Sequence, residues 1–190
     1  MAKINNLPNL LTGYRLAIIA PLLLCLRPGA VPEIGLLAFI LFVSAALTDL
    51  ADGYLARKFQ AESDLGKLID PLADKVLVTA GLVMLIPLGR VPAWLCFLIL
   101  AREMIVTGLR SIAAASGTVI AASKLGKYKS ATQVTALAIL IFPASFSPFP
   151  GLHRIGLIIL YLALFLTLWS GIHYFHRFRK VYLTSRQRGI

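Results

Sequence analysis

Apolar residues run through the chain in six long stretches, and polar residues gather in the short breaks between them. A transmembrane helix needs about 20 predominantly apolar residues. The breaks are rich in Pro, Gly, Ser and Arg, as is typical of turns. The pattern therefore predicts an all-α integral membrane protein, a bundle of six transmembrane helices at residues 10–26, 34–57, 66–88, 92–115, 125–146 and 152–178.

The six runs leave no room for a soluble domain. We expect one membrane domain over residues 1–190, with an interfacial segment at 1–9 and a basic tail at 179–190. The first run has the position of a secretory signal. However, few charges precede it, no convincing small-residue cleavage site follows, and it contains the polar sequence NNLPNLLTGYR. We therefore expect a retained helix.

Composition agrees with a membrane protein, because 58% of residues are hydrophobic and the mean hydropathy is +0.83. The formal net charge of +11 favours anionic lipid and phosphate as partners. Nucleic acid is not expected, since no basic stripe with interleaved aromatics lies on a polar domain. Cys25 and Cys96 lie within apolar runs and are expected to pack there rather than form a disulfide or a metal site.

Basic residues predict the orientation of the helices. If both termini face the cytoplasm, only Arg27, Arg90 and Arg154 fall on the outer side. All other basic residues lie at the inner side or just within it. By the positive-inside rule, this asymmetry predicts a multi-pass protein of a bacterial-type inner (plasma) membrane, with both termini in the cytoplasm.

Four aspartates stand where the second and third apolar runs face each other: Asp49, Asp52, Asp70 and Asp74. A helix turns once in about 3.6 residues, so each pair shares one helix face. The polar link at 58–65 is long enough for a reversal that brings the pairs together. An uncompensated aspartate at the membrane centre costs roughly 2.5–3.5 kcal/mol. Two divalent cations would neutralise four carboxylates, and hard oxygen ligands suit Mg²⁺ or Mn²⁺.

The same stretch carries the pattern DxxDGxxARx8Gx3Dx3D without a departure. It resembles the signature of the CDP-alcohol phosphatidyltransferases. The resemblance implies an integral membrane enzyme that moves a phosphatidyl group from CDP-diacylglycerol to an alcohol and releases CMP. The eight positions that carry it are Asp49, Asp52, Gly53, Ala56, Arg57, Gly66, Asp70 and Asp74.

The resemblance also implies a role for each acid. Asp49 and Asp70 would touch both metal ions, Asp52 one of them and Asp74 the other. Asp74 is the candidate general base for the acceptor hydroxyl, provided that one of its oxygens stays free. A simpler role for Asp70 is a helix cap ahead of Pro71. The donor would be bound by Asn9, Thr12, Gly53, Ala56, Arg57, Ser63 and Gly66.

Among these donor residues, Gly53 and Ala56 leave space for a bulky ligand against the backbone, and Arg57 offers a fork that suits phosphate. Asn9 and Thr12, together with Arg15, belong to a lead-in segment that helps to cover the nucleotide in the family. An amphipathic interfacial segment with a snorkelling arginine would show the same pattern.

Basic residues of the second half of the chain predict an acceptor that itself carries phosphate. The candidates are Arg102, Arg110, Lys124 and Lys127, with Lys129 close by. AREMIVTGLR and KLGKYKSATQ resemble the branch of the family that uses sn-glycerol 3-phosphate. Ordinary cytoplasmic basic loops would also explain such residues. For Arg102, a pair with Glu103 or with a carboxylate of the site is a further explanation.

Two other functions stay open on the sequence alone. A sibling enzyme would use inositol phosphate or serine as the acceptor. A cation transporter also places acids inside membrane helices, but it favours the bilayer midplane and an internal repeat, neither of which is evident here. His153, His173 and His176 do not resemble metal ligands, and relatives in the family suggest a homodimer.

Overall fold

The computed structural model describes residues 7–59, 64–115, 124–147 and 149–187, with the backbone alone at 7–12, 49–59, 64–72, 74, 124–125, 127 and 181–187. Throughout this part of the chain the regular structure is helical, which confirms the all-α class. The six α-helices are α1 (Leu7–Cys25), α2 (Pro32–Phe59), α3 (Asp64–Leu85), α4 (Ala93–Ala115), α5 (Lys124–Ile141) and α6 (Leu152–Gln187).

Helix α1 begins at Leu7, within the predicted interfacial segment, and α3 ends at Leu85 instead of residue 88. Two other helices end five or more residues from the predicted bounds. Helix α5 ends at Ile141 instead of residue 146, and a short 3-10 helix, Ala144–Phe146, follows. Pro143 explains this end, because proline lacks an N–H and disfavours a helical residue before it. Helix α6 continues past residue 178 to Gln187, so most of the predicted basic tail is helical. Residues 1–6 of the predicted interfacial segment lie outside the described part.

The helices pack into one bundle around a shared apolar core. Helix α1 contacts α2 and α3, while α5 contacts α6, α2 and α3, and α4 contacts α6 and α3. The core draws fully buried side chains from several helices, among them Leu22, Phe42, Leu82, Ile99, Leu137 and Leu160. Gly156 allows the close approach of α6 to α5, because a Cβ there would lie 2.9 Å from side-chain atoms of Ile139 and Leu140.

One of the described helices, at Leu152–Lys180, is long and apolar enough to cross a membrane by itself. Shorter apolar stretches occupy Gly13–Cys25, Pro32–Thr48 and Lys75–Leu85. Large apolar side chains are nevertheless exposed on several helices, as shown by Leu24 at 70%, Phe97 at 69% and Met104 at 75%. A soluble monomer rarely exposes so much apolar surface.

The two ends of the bundle are chemically distinct. One cavity is lined by residues from within 25–35, 88–90 and 141–145. The α1–α2, α3–α4 and α5–α6 connections therefore meet at one end of the bundle, here called the Arg90 end. Because consecutive helices run in opposite directions, the C-terminus of α2 and the N-terminus of α3 lie at the other end, here called the motif end. The motif end carries the acidic stretch found in the sequence.

Candidate active site

The acidic motif lies on two helices that contact each other. Asp49 and Asp52 are helical residues of α2, and Asp70 and Asp74 are helical residues of α3. Asp52 lies about two turns before the last residue of α2, and Asp70 about two turns after the first residue of α3. Residues 60–63 join the two helices. The backbone therefore places both acidic pairs at a similar distance from one short connection.

The predicted donor residues follow the same backbone frame. Gly53, Ala56 and Arg57 lie in the last two turns of α2, and Gly66 lies in the first turn of α3. Asn9 and Thr12 lie near the start of α1. Ser63 lies outside the described residues. Since the side chains of these positions and of the four aspartates are also outside that part, their contacts with a donor remain a prediction.

Helix α1 is held against the helices that carry the motif. The Tyr14 and Ser44 hydroxyls share a hydrogen bond of 3.2 Å between α1 and α2. Arg15, which the sequence placed beside the nucleotide, is fully buried. A buried guanidinium costs free energy unless it is paired. Because α1 packs on both α2 and α3, Arg15 brings a positive charge to the two helices that bear the aspartates.

The backbone fits the predicted pair of divalent ions. Two neighbouring helices each carry two carboxylates on one face, which is a hard oxygen donor set of the kind that Mg²⁺ and Mn²⁺ prefer. Among the side chains that the structure describes, no cluster of three or more His, Cys, Asp or Glu residues is present. The aspartates of α2 and α3 stay the predicted ligands of the ions.

A contact between Lys75 and Thr107 joins the motif to α4. Lys75 directly follows Asp74 in α3, and its ammonium donates a hydrogen bond to the Thr107 hydroxyl. The Thr107 hydroxyl in turn donates to the carbonyl of Glu103, at 2.7 Å. The last turn of the acidic motif therefore lies beside Thr107, which falls between Arg102 and Arg110 on α4.

Helix α4 presents a polar face at this level. Glu103, Thr107 and Arg110 follow one another at i, i+4 and i+7, so they share one side of the helix. Thr107 and Arg110 are exposed, and Glu103 is partly exposed. Met104 and Ile105 expose an apolar surface elsewhere on the helix. In a membrane helix, exposed polar residues are expected to line a cavity that holds water or ligand rather than to face lipid.

Glu103 is the centre of a charged cluster that joins α4 and α5. Its Oε1 accepts a hydrogen bond from Arg102 Nη1 at 2.9 Å and another from the Lys129 ammonium. The side chains of Arg102 and Lys129 are only 12% and 8% exposed. Arg102 therefore forms the pair with Glu103 that the sequence left open. Its predicted contact with an acceptor phosphate stays a prediction.

Helix α6 completes the cluster from the other side of Arg102. Arg102 Nη2 donates to the Ser170 hydroxyl at 2.8 Å. Gly171 provides the space, because a Cβ there would lie 3.0 Å from Arg102 Nε. Nearby, Gln133 donates to the Thr167 hydroxyl at 3.2 Å, and both residues are buried. The Arg102 side chain thus links the Glu103–Lys129 ion pair between α4 and α5 to Ser170 of α6.

Two polar atoms in and beside the cluster have no hydrogen-bond partner among the described residues. Arg102 Nε and the Tyr174 hydroxyl are buried and meet no hydrogen-bond partner in the described structure. The Arg110 guanidinium lies over the Tyr174 ring, 5.9 Å from its centroid, within the range of a cation–π contact. Lys124 and Lys127 lie in the first turn of α5, and the contacts of their side chains remain outside the described part.

Several polar residues around Arg102 and Arg110 were not among the predicted ligands, although the sequence placed Lys129 close to them. Lys75, Thr107, Lys129, Ser170 and Tyr174 surround the predicted residues Arg102 and Arg110. The spacing of Glu103, Thr107 and Arg110 was the available signal, since it marks one polar face within an apolar helix. The contacts to α5 and α6 depend on tertiary packing, which no local spacing reveals.

Comparison with protein families gives a match over most of the chain. Residues 5–169 match the family described as CDP-alcohol phosphatidyltransferase. The matched region includes both acidic pairs, the polar face of α4 and, of the charged cluster, Arg102, Glu103 and Lys129. The family that the acidic pattern resembles is therefore also the family that most of the helical region matches.

Curated relatives extend the match to nearly the full length. A protein of Rickettsia bellii named CDP-diacylglycerol--glycerol-3-phosphate 3-phosphatidyltransferase is 40% identical over 178 residues, 94% of this chain and 98% of the relative. A Bacillus subtilis protein of the same name is 38% identical over 186 residues, 90% of this chain and 94% of the relative. A probable phosphatidylglycerophosphate synthase of Mycobacterium tuberculosis is 37% identical over 178 residues, 93% of this chain and 83% of the relative.

Proposed function

This chain belongs to the CDP-alcohol phosphatidyltransferase family, and from that membership we propose that it transfers the phosphatidyl group of CDP-diacylglycerol to sn-glycerol 3-phosphate. The products are phosphatidylglycerophosphate and CMP, so the reaction belongs to phospholipid biosynthesis. Relatives named for this reaction match nearly the whole chain at about 40% identity. The acceptor named for them carries a phosphate, in agreement with the basic residues of α4 and α5.

One contact carries the proposal within the structure. The Lys75–Thr107 hydrogen bond brings the end of the acidic motif next to the polar face of α4. A donor held by the motif would therefore lie close to an acceptor held by cations. The proposed ligands of the acceptor phosphate are Arg110, Lys124 and Lys127, with Arg102 behind them. The donor side is formed by Asn9, Thr12, Gly53, Ala56, Arg57, Ser63 and Gly66.

The reaction is an in-line substitution at the β-phosphorus of the donor. Asp74 takes the proton of the primary hydroxyl of glycerol 3-phosphate. The oxygen of that hydroxyl forms the new bond to the β-phosphorus, and the bond from the β-phosphorus to the bridging oxygen breaks. CMP leaves with the bridging oxygen. Lys75, which follows Asp74, fixes this turn of α3 against Thr107.

Metal dependence belongs to the same proposal. Asp49, Asp52, Asp70 and Asp74 would hold two divalent ions, Mg²⁺ or Mn²⁺. When bound, such ions supply charge neutralisation for the diphosphate and for the leaving group. The backbone of the chain supplies position, since the four aspartates lie on two neighbouring helices at a similar distance from their short connection.

The site requires a membrane, because the donor carries two acyl chains. We propose that all six helices span a bacterial-type inner membrane, with the motif end at the cytoplasmic face. Exposed apolar side chains on α1, α4 and α6 support lipid contact. Helix α6, at 36 residues, is about 54 Å long and exceeds a hydrocarbon core of about 30 Å. Its basic C-terminal turns would therefore enter the cytoplasm.

Pairing of two copies is part of the proposal and is testable by mass measurement in detergent.

The test is CMP release by the purified protein in detergent micelles that contain CDP-diacylglycerol and Mg²⁺ or Mn²⁺. Three acceptors are compared: sn-glycerol 3-phosphate, inositol phosphate and serine. Release with glycerol 3-phosphate alone is the expected result. Release with inositol phosphate or serine would show that the chain catalyses a related transfer with that acceptor. No release with any alcohol would contradict the proposed transfer and favour ion transport.

A further inference from the structure

Glu103 has an acceptor oxygen that the described protein does not use. Both of its ion pairs, to Arg102 and to Lys129, fall on Oε1. No donor in the described part of the chain contacts Oε2. The side chain is 21% exposed, whereas its two cationic partners are more deeply buried. A carboxylate can accept about four hydrogen bonds, so Glu103 has capacity for a ligand.

The geometry differs from that of a carboxylate whose only task is to neutralise a buried arginine. Such a pair is often bidentate, with two N–H groups of the guanidinium on the two carboxylate oxygens. Here Arg102 gives one N–H group to Glu103 and turns another to Ser170. Its Nε remains without a partner among the described residues. The arrangement fixes Oε1 and leaves Oε2 unpaired.

Glu103 also lies on the side of α4 where the acceptor is expected. It shares that side with Thr107 and Arg110. Thr107 accepts the hydrogen bond of Lys75, the residue after Asp74. Glu103 and Arg110 are about 10 Å apart along the helix axis. A three-carbon phosphate is shorter than this interval, so the long side chain of Arg110 would span the remainder while the carbons extend along the polar face toward Glu103.

We propose that Glu103 Oε2 accepts a hydrogen bond from the C2 hydroxyl of sn-glycerol 3-phosphate. This inference rests on the proposed function. Glu103 then binds substrate directly, while Arg102 and Lys129 fix its orientation. Because a buried acceptor left unpaired is costly, the site discriminates against phosphorylated alcohols that lack this hydroxyl. Glu103 thereby determines acceptor specificity.

The test compares two acceptors that differ only at C2. 3-Hydroxypropyl phosphate has the primary hydroxyl and the phosphate of glycerol 3-phosphate but lacks the C2 hydroxyl. The measured quantity is the ratio of kcat/KM for the two acceptors, from CMP release by the full-length protein in micelles with CDP-diacylglycerol. The unmodified protein should prefer glycerol 3-phosphate by about tenfold or more, as expected for one hydrogen bond to a charged group.

Glu103→Gln should reduce this preference to about threefold or less, mainly by a loss on glycerol 3-phosphate. The amide oxygen would face the two cations, so an N–H group would replace Oε2. Ser170→Ala is the matched control, because it removes the other hydrogen bond of Arg102 and leaves the carboxylate in place. Its acceptor ratio should equal that of the unmodified protein.

Glu103→Asp is the second variant if Glu103→Gln does not fold, because it retains the charge but withdraws the oxygens by one methylene. It should also lower the ratio. Equal kcat/KM for both acceptors in the unmodified protein overturns the inference, as does an unchanged ratio in the Glu103 variants. An unmodified protein that releases no CMP with glycerol 3-phosphate instead overturns the proposed function.

Discussion

Basic residues at the two ends of the bundle have different kinds of partner. At the Arg90 end, Arg90 Nη1 donates to the carbonyls of Leu140 and Ile141 at 2.7 and 3.0 Å. His153 Nε2 donates to the carbonyl of Phe142 at 2.8 Å. These carbonyls lie at and just beyond the end of α5. Toward the motif end, Arg102 and Lys129 bind side chains instead.

The difference separates structural cations from candidate binding cations. The last carbonyls of a helix have no partner within it, so a cation there caps the helix and favours its dipole. Burial lowers the pKa of Arg90, but arginine stays charged at physiological pH. In the charged cluster, Arg102 Nε and the Tyr174 hydroxyl keep unused hydrogen-bonding capacity in the described structure. Unused capacity is expected where a ligand completes the network.

Removal of divalent ions should lower CMP release more than any of the substitutions below, and it should act on the motif end alone. With EDTA in excess, we expect CMP release to fall by about 10⁴-fold, because the diphosphate and the leaving group lose their neutralising charge. Added Mg²⁺ or Mn²⁺ should restore activity. The thermal unfolding midpoint serves as the second measurement, since a chelator that merely unfolded the bundle would lower it without recovery. Full activity in EDTA would contradict the metal assignment.

Asp74→Asn should reduce kcat by about 10³-fold, the size expected for loss of a general base. Binding of CDP-diacylglycerol should be largely retained, because the amide keeps an oxygen donor and the other three acids are unchanged. CMP release and donor binding are measured separately. Glu33→Gln is the matched control, since Glu33 is an exposed acid in the first turn of α2, at the Arg90 end. Full turnover by Asp74→Asn would remove the general-base assignment.

Much of the fold follows from the sequence because most of the helices are apolar along most of their length. The apolar runs predict the helices, and Pro143 explains why α5 ends at Ile141. The basic residues after 178 suggest a tail by composition. They are helical because residues 179–187 contain neither Gly nor Pro. Composition sets the limit of the apolar segment, whereas backbone propensity sets the limit of the helix.

The site was predictable where its residues are close in sequence. The aspartates are paired at i, i+3 and i, i+4, so local spacing places each pair on one face. For Arg102 the sequence left two partners open, Glu103 or a carboxylate of the site, because adjacent helical residues do not usually face each other. Glu103 reaches Arg102 while it also binds Lys129 of α5. Only the packing of α4 against its neighbours lets Arg102 and Lys129 donate to the same oxygen of Glu103.

Arg110→Ala tests whether an arginine of the motif half binds substrate. We expect KM for glycerol 3-phosphate to rise by about 10- to 100-fold with kcat less affected, because one charge-assisted hydrogen bond to phosphate is lost. Arg110→Lys should recover part of the affinity. Arg154→Ala, an exposed cation at the start of α6, should leave KM unchanged. Equal effects of the two alanine variants would remove the distinction between the ends.

Arg90→Met should give the smallest catalytic effect and a measurable loss of stability. The substitution keeps an apolar stem but leaves the carbonyls of Leu140 and Ile141 without their donor. An unsatisfied buried carbonyl costs about 1–3 kcal/mol, so the unfolding midpoint in detergent should fall by roughly 2–12 °C for a chain of this size. KM for both substrates should stay within about twofold of the unmodified value, since helix capping sets the stability of α5 and not the chemistry at its other end. A selective rise in KM for glycerol 3-phosphate, with an unchanged midpoint, would show that Arg90 binds ligand.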